Sequence, residues 1–246
     1  MSIMWQSVNQ TIKKADLLVI VLDARFIQET MNEEITAKIN SRYKPYIFAV
    51  TKSDLAGKID KITIPRPYVL VSVKERTGKK SLRERILIEG EKKYGKYHDI
   101  KVGVLGYPNV GKSSVINLLK GKHSASTSSL SGHTKREQPI RADRRILLLD
   151  TPGVIPYGEK DNTKHVVIGT KDFASVKHPE VALEGIMEKY PGAIEREFGV
   201  EPGENHSETI ERMALKKNLL LKGGVPDVVR LSRMVIMRIQ SGKLRL

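Results

Sequence analysis

The sequence predicts an α/β fold, a doubly wound sheet followed by a small all-helical domain. Short apolar, β-rich runs alternate with helical patterns through the first two thirds of the chain, which is typical of a parallel sheet covered by helices. After His178 the alternation stops and only helical patterns follow. We therefore expect one α/β domain at residues 1–178 and a helical domain at residues 179–246.

Five runs are predicted to be strands, because each is apolar and ends in polar residues, as buried parallel strands do. These strands are Leu17–Leu22, Tyr46–Val50, Tyr68–Val73, Ile100–Leu105 and Ile146–Leu149, and His165–Ile168 could add a closing strand. Helices are predicted at Glu33–Ile39, Leu82–Lys93 and Ser113–Leu119, and in the C-terminal domain at Val181–Tyr190, Ser207–Leu221 and Pro226–Gln240. Pro- and Gly-bearing breaks separate the C-terminal helices.

Net charge, cysteine content and the length of apolar runs indicate which partners and sites the protein can have. The 246 residues carry a formal net charge of +15, which attracts polyanions, RNA or DNA first among them; the alternative is a solvated basic surface. The absence of Cys excludes disulfides, zinc–thiolate sites and thiol nucleophiles. The longest apolar run, Leu17–Leu22, is too short for a membrane span or a signal-sequence core. We expect a cytoplasmic monomer without a membrane partner.

Residues 106–113 match the phosphate-binding loop pattern, Gly-x4-Gly-Lys-Ser, between a predicted strand and a predicted helix. Gly106 and Gly111 allow a tight turn whose N–H groups, with the helix N-terminus, cradle phosphate. Lys112 is expected to reach the β- and γ-phosphates, and the Ser113 hydroxyl is expected to bind magnesium.

A second phosphate-binding element is predicted where Asp150-Thr-Pro-Gly153 follows the Leu-rich strand. Asp150 would hold magnesium through water, and the Gly153 N–H would contact the γ-phosphate. Taken alone the tetrapeptide is also an ordinary turn. Its position downstream of a phosphate loop favours the functional interpretation.

The segment Thr51-Lys-Ser-Asp54 follows the second strand and predicts selection of guanine. The Asp54 carboxylate can accept hydrogen bonds from the guanine ring N–H and exocyclic amine, a donor pair that adenine lacks. The usual form begins with Asn, so Thr51 leaves the contact from that position to the phosphate loop open. Ser72-Val-Lys74 ends the third strand and is similar to the weaker element that contacts guanine O6.

The motifs occur in an unusual order, with the guanine elements before the phosphate elements. In this order, and in Asp23-Ala-Arg25 at the end of the first strand, the chain resembles the circularly permuted GTPases of the YlqF/RbgA type. The resemblance covers nearly the whole chain. It implies a circularly permuted Ras-like GTPase domain with a helical C-terminal domain, bound GTP or GDP with magnesium, and a role in assembly of the large ribosomal subunit.

The resemblance also implies roles for particular residues. Thr134, in Gly132-His-Thr134, would close on magnesium and the γ-phosphate; Asn109 resembles the Asn of potassium-activated GTPases; and Ser114 would contact the α-phosphate. The expected catalytic residues are Lys112, Thr134 and Gly153, and the expected magnesium ligands are Ser113, Thr134 and Asp150. The expected nucleotide-binding residues are Thr51, Lys52, Asp54, Ser72, Val73, Lys74, Asn109, Val110, Gly111, Lys112, Ser113 and Ser114.

The sequence departs from the family pattern in two places. Val154 follows the second phosphate element, so no Gln there orients water, and no His precedes His98, unlike members that carry one near the N-terminus.

We expect ribosomal RNA or the large subunit as partner, bound through the basic residues Lys216, Lys217, Lys222, Arg230 and Arg233. The alternatives are a nucleotide-gated protein-binding switch without an RNA role and an ATPase, and Asp54 argues against the latter.

Overall fold

The computed structural model describes residues 3–57, 59, 64–120, 139–149, 153, 155–156, 159 and 161–246. Two compact units follow one another along the chain, Met1–Glu159 and Lys160–Leu246. The division lies before the 178/179 boundary expected from the sequence. The reason is that the helix at Asn162–Val167 packs against the helices that follow it.

The first unit is a six-stranded sheet in the order β3-β2-β1-β4-β6-β5. Neighbouring strands are parallel, except that β5 pairs antiparallel with β6. The strands are β1 Leu17–Asp23, β2 Tyr46–Thr51, β3 Tyr68–Leu70, β4 Ile100–Leu105, β5 Ile140–Asp143 and β6 Ile146–Leu149, and the helices are α1 Ile3–Lys14, α2 Ile27–Thr30, α3 Glu33–Asn40, α4 Lys79–Tyr94 and α5 Lys112–Lys120.

The core of this unit lies around β1, all seven residues of which are buried, so both faces of the sheet are covered. Leu18, Ile20 and Leu22 pack with apolar residues of α1 and α3. Because β1, β2 and β4 are parallel neighbours, their carboxyl ends meet at one edge of the sheet, where ligands bind in open α/β folds. The phosphate loop and the Thr51–Asp54 segment both start from this edge.

The second unit is helical, as predicted. It contains α6 Asn162–Val167, a single 3-10 turn at Phe173–Ser175, α7 Pro179–Lys189, α8 Ala193–Phe198, α9 His206–Lys216 and α10 Val228–Gln240. On α10, Leu231, Val235 and Ile239 are buried, whereas Val228, which the sequence also suggests as a core residue, is only half-buried. Among the residues that the structure describes, no helix is long and apolar enough to cross a membrane.

Several predicted elements were wrong in type or extent. His165–Ile168 is not a strand: the Asp161 carboxylate caps α6 by accepting a hydrogen bond from the Lys164 N–H. The predicted helix Ser207–Leu221 ends at Lys216, because Leu220 pairs with Pro226 in a short hairpin. The third strand ends at Leu70 rather than Val73. Among the described residues, the helices α1, α2 and α8, the edge strand β5 and the 3-10 turn at Phe173–Ser175 were missed.

Candidate nucleotide-binding site

The phosphate loop leaves β4 and enters α5 at Lys112, in the strand–loop–helix context predicted for it. Its backbone needs glycine at two positions. Gly106 has φ +148° and a Cβ there would lie 2.6 Å from the Val21 carbonyl oxygen, while Gly111 has φ +104°. Asn109 also has a positive φ of 61°, a conformation that Asn tolerates better than most residues. The loop is therefore folded tightly against the end of β1.

Lys112 is buried, with 8% of its surface exposed, and its Nζ donates to the Tyr107 carbonyl oxygen at 2.5 Å. Burial lowers the pKa of Lys112 to about 8. Gly153 lies directly against it, because a Cβ at Gly153 would be 2.5 Å from Lys112 Nζ and 2.8 Å from the Pro108 nitrogen. The two predicted phosphate elements therefore meet in space.

Thr51 contacts the phosphate loop although it replaces the usual Asn. Its Oγ1 lies 2.5 Å from the Val110 carbonyl oxygen and 3.0 Å from the Leu22 carbonyl oxygen. A hydroxyl has one proton, so it donates to one of these acceptors at a time. The sequence left open whether residue 51 contacts the phosphate loop. Thr51 makes this contact, with one donor proton.

Lys52 connects the same loop to β1. Its Nζ donates to the Asn109 carbonyl oxygen at 3.0 Å and to Asp23 Oδ2 at 2.7 Å. Burial lowers the pKa of Lys52 more than the neighbouring Asp23 raises it. Together with Thr51, this places two residues of the guanine element in hydrogen-bond contact with the backbone of the phosphate loop.

Asp54 and Ser72 join the two guanine elements. Ser72 Oγ donates to Asp54 Oδ1 at 2.6 Å and accepts from the Glu75 N–H at 3.1 Å. The turn after Ser72 closes tightly, since Gly78 has φ +85° and a Cβ there would meet the Leu70 carbonyl oxygen. Val73 and Lys74 are exposed in this turn. A hydroxyl thus orients the Asp54 carboxylate, and because each carboxylate oxygen can accept more than one hydrogen bond, both oxygens can still accept from a ligand.

The predicted magnesium site is described only in part. Ser113 lies exposed in the first turn of α5, as a ligand to a phosphate-bound cation must. Ser114 beside it is half-buried. Thr134 and Asp150 lie outside the described residues, as do His133 and Val154. Within the described part of the chain, no cluster of three or more His, Cys, Asp or Glu side chains could hold a metal ion. Ser113 is compatible with magnesium that is held mainly by nucleotide phosphates.

Sequence reasoning gave no role to two contacts at this site. Asp23 is fully buried and paired with Arg25 and Lys52. The signals in the sequence were an acidic residue at the end of an otherwise apolar strand and the resemblance of Asp23-Ala-Arg25 to the permuted GTPases, and neither indicated this contact. Tyr107, inside the phosphate loop, is fully buried and donates to Glu159 Oε2 at 2.5 Å. Burial and the nearby carboxylate raise the pKa of Tyr107 well above its ordinary value.

Comparison with known proteins finds GTP-binding proteins among those similar to this chain. Residues 101–218 match the family model described as 50S ribosome-binding GTPase. The uncharacterized GTP-binding protein MJ1464 of Methanocaldococcus jannaschii is 38% identical over 245 residues, which cover 96% of this chain and 65% of that protein. Nucleolar GTP-binding protein 2 of Kluyveromyces lactis is 31% identical over 252 residues, which cover 98% of this chain and 49% of that protein. The chain thus spans about half to two thirds of these relatives.

Solved structures share the fold. The GNP-bound crystal structure of YlqF from T. maritima has a TM-score of 0.63 at 22% identity, over 97% of this chain and 94% of that one. A GDP-bound structure of TM YlqF has a TM-score of 0.64 at 23% identity. The chain is therefore similar over nearly its whole length to GTP-binding proteins, and it shares the fold of YlqF.

Proposed function

We propose that this protein binds GTP, hydrolyses it to GDP and phosphate, and acts as a nucleotide-gated factor in assembly of the large ribosomal subunit. One observation supports the first part above all. Thr51 and Lys52, in the predicted guanine element, contact the Val110 and Asn109 carbonyl oxygens of the phosphate loop. A base held at Asp54 and phosphates held at Lys112 then belong to one ligand.

Different residues at this edge of the sheet bind different parts of the nucleotide. Asp54, oriented by Ser72, accepts from the guanine ring N–H and amine. Lys112 and the loop N–H groups bind the β- and γ-phosphates, and the Gly153 N–H lies where it can contact the γ-phosphate. Magnesium, when bound through Ser113 with Thr134 and Asp150, supplies charge neutralisation at the phosphates. Asn109 is proposed as a ligand for potassium.

The ribosomal part of the proposal rests on the family description, the names of the fungal relatives and the net charge of +15. Three of the five residues expected to contact RNA have partners within the protein. Arg233 donates to the Ala174 carbonyl oxygen, Lys216 donates to the Gly199 carbonyl oxygen, and Lys217 lies over the Phe198 ring. Lys222 and Arg230 are exposed and are therefore our first candidates for contacting RNA phosphates.

Two measurements test this function. A fluorescent GTP analogue should bind with Mg²⁺ and be displaced by GTP but not by ATP, and phosphate should be released from GTP. Cosedimentation with large ribosomal subunits should differ between GDP and a non-hydrolysable GTP analogue. Lys222→Glu with Arg230→Glu should weaken cosedimentation, whereas Lys96→Glu, an exposed charge reversal on the first unit, should change it less. Equal affinity for ATP and GTP would refute the nucleotide assignment.

A second candidate is a nucleotide-gated switch that binds a protein and no RNA. It is favoured by Leu221 and Val225, which face each other across the hairpin and are 54% and 55% exposed. Unchanged cosedimentation of the Lys222→Glu, Arg230→Glu variant, with loss in a Leu221→Ser variant, would favour this candidate. The compartment also stays a prediction: the sequence predicts cytoplasm, whereas the fungal relatives are named nucleolar.

A further inference from the structure

Asp23, at the end of β1, accepts hydrogen bonds from two cationic side chains. Arg25 grips the carboxylate with a two-pronged contact, Nε to Oδ1 at 2.9 Å and Nη2 to Oδ2 at 2.7 Å, and its backbone N–H adds a bond at 3.1 Å. Lys52 Nζ contacts Oδ2 at 2.7 Å. The Asp23 side chain is 0% exposed and that of Arg25 is 8% exposed. Such a buried, forked pair has little freedom to rearrange.

The surroundings of Asp23 favour its ionised form. Burial raises the pKa of the Asp23 carboxyl, but hydrogen bonds from Arg25 and the charge of Lys52 outweigh burial, so the pKa lies below its ordinary value. One carboxylate therefore faces two cations.

Lys52 links the Asp23–Arg25 pair to the phosphate loop by hydrogen bonds. Its Nζ bridges Asp23 Oδ2 and the Asn109 carbonyl oxygen, and its own backbone has a φ of +56°, which is rarely adopted by Lys. Without Asp23, the Lys52 ammonium would be solvated on a flexible side chain, and its hydrogen bond to the Asn109 carbonyl would be occupied for less of the time. The strained backbone at Lys52 is thus accompanied by contacts that fix its side chain.

The need for such a support follows from Thr51. Two adjacent carbonyl groups of the phosphate loop, Asn109 and Val110, require donors, and the Thr51 hydroxyl supplies one proton that it divides between Val110 and Leu22. An Asn in its place would offer two N–H donors. The Asn109 carbonyl receives a hydrogen bond from Lys52.

We propose that Asp23 is a positioning residue of the nucleotide site: clamped by Arg25, it holds Lys52 on the Asn109 carbonyl and so keeps the phosphate loop in its nucleotide-binding shape. This inference rests on the proposed function. It assigns a role in nucleotide retention to the Asp23-Ala-Arg25 segment, although neither side chain is expected to touch the ligand.

The test is the dissociation rate of a fluorescent GDP in the presence of Mg²⁺. Asp23→Asn keeps the shape but removes the charge, and it should accelerate dissociation by about tenfold or more, the loss expected for hydrogen bonds to a charged group. Glu91→Gln is the matched control, because it removes the acidic partner of Arg145 on the same unit, away from the site, and should leave the rate unchanged.

A double-mutant cycle separates positioning from general destabilisation. If Asp23 acts through Lys52, then Lys52→Met and the double variant Asp23→Asn, Lys52→Met should release GDP at similar rates. Additive effects, or a parental rate in folded Asp23→Asn, would overturn the inference. If Asp23→Asn does not fold, Arg25→Lys takes its place in the cycle, since Lys keeps the charge but lacks the fork. Failure of the parental protein to bind GDP would instead refute the proposed function.

Discussion

Gly153 packs so closely on Lys112 that a Cβ at Gly153 would lie 2.5 Å from the ammonium nitrogen. The Pro108 nitrogen would be 2.8 Å from the same Cβ. The φ of Gly153 is outside the left-handed region, so the backbone does not demand glycine there. What demands glycine is the approach of this segment to the phosphate loop, at the place where a γ-phosphate would be held.

Gly153→Ala is therefore predicted to lower GTP hydrolysis while the fold survives. The methyl group displaces either Lys112 or the Gly153 N–H from the phosphate, and loss of one such transition-state contact costs about a hundredfold in kcat. Alanine is allowed at this φ, but its Cβ would lie 2.8 Å from the Pro108 nitrogen, so the segment must shift; the midpoint of thermal unfolding should fall by several degrees while unfolding stays cooperative. Phosphate-release kinetics and a thermal melt of the same preparation check this, and undiminished hydrolysis would contradict it.

Asp54→Asn is predicted to exchange guanine for xanthine specificity. The amide presents one acceptor and one donor where the carboxylate presents two acceptors, so it matches the additional oxygen of xanthine and mismatches the guanine amine. Affinity for GTP should fall by about a hundredfold or more, and xanthosine nucleotides should bind better than GTP. Competition of GTP, XTP and ATP against one fluorescent nucleotide measures the order. A variant that still prefers GTP would show that Asp54 does not read the base.

The lowered pKa of Lys112 predicts a pH dependence of nucleotide affinity. In the nucleotide-free protein burial lowers this pKa to about 8, whereas bound phosphates favour the charged ammonium. The contribution of Lys112 is thus complete below pH 8 and declines above it, because binding then requires uptake of a proton. Between pH 7 and pH 9 the Kd for GDP should rise by about tenfold.

Lys112→Ala provides the control for this dependence. It should bind nucleotide far more weakly, lose hydrolysis and show no step near pH 8 in its remaining affinity. The fold is expected to persist, because the side chain serves the ligand rather than the packing. A parental Kd that is flat from pH 7 to pH 9 would contradict the assignment of this lysine to the phosphates.

Local signals predicted most of the fold and the main motifs, and they failed where tertiary contacts decide. The strand at Ile100–Leu105 and the following phosphate loop were predictable, because an apolar run and a glycine pattern of fixed spacing are both local. The edge strand Ile140–Asp143 was not, since two of its four residues are charged and the strand pairs with a single neighbouring strand. The link from Asp23 to Lys52 joins different strands and has no counterpart in spacing along the chain.

The last prediction concerns Asn109, whose side chain is proposed to hold potassium. A GTPase transition state develops negative charge at the β–γ bridge, and a cation beyond magnesium and Lys112 usually stabilises it. No Arg is assigned to this task by the sequence, and Val154 cannot orient water as Gln does. A monovalent ion at the Asn109 oxygen could occupy the place of an arginine. Replacing potassium with sodium at constant ionic strength should therefore slow turnover.

The variant that tests this must respect the backbone. Asn109 has φ +61°, so Ala would add strain, whereas Gly removes the side chain at no such cost and leaves the carbonyl that Lys52 contacts. Asn109→Gly should bind GDP nearly as well as the parental protein but hydrolyse GTP equally in potassium and sodium. The competing explanation is that Asn109 merely favours the turn of the loop. Equal turnover of the parental protein in both salts, with and without ribosomal subunits, would show that Asn109 only favours the turn. The additional cation would then have to come from a partner.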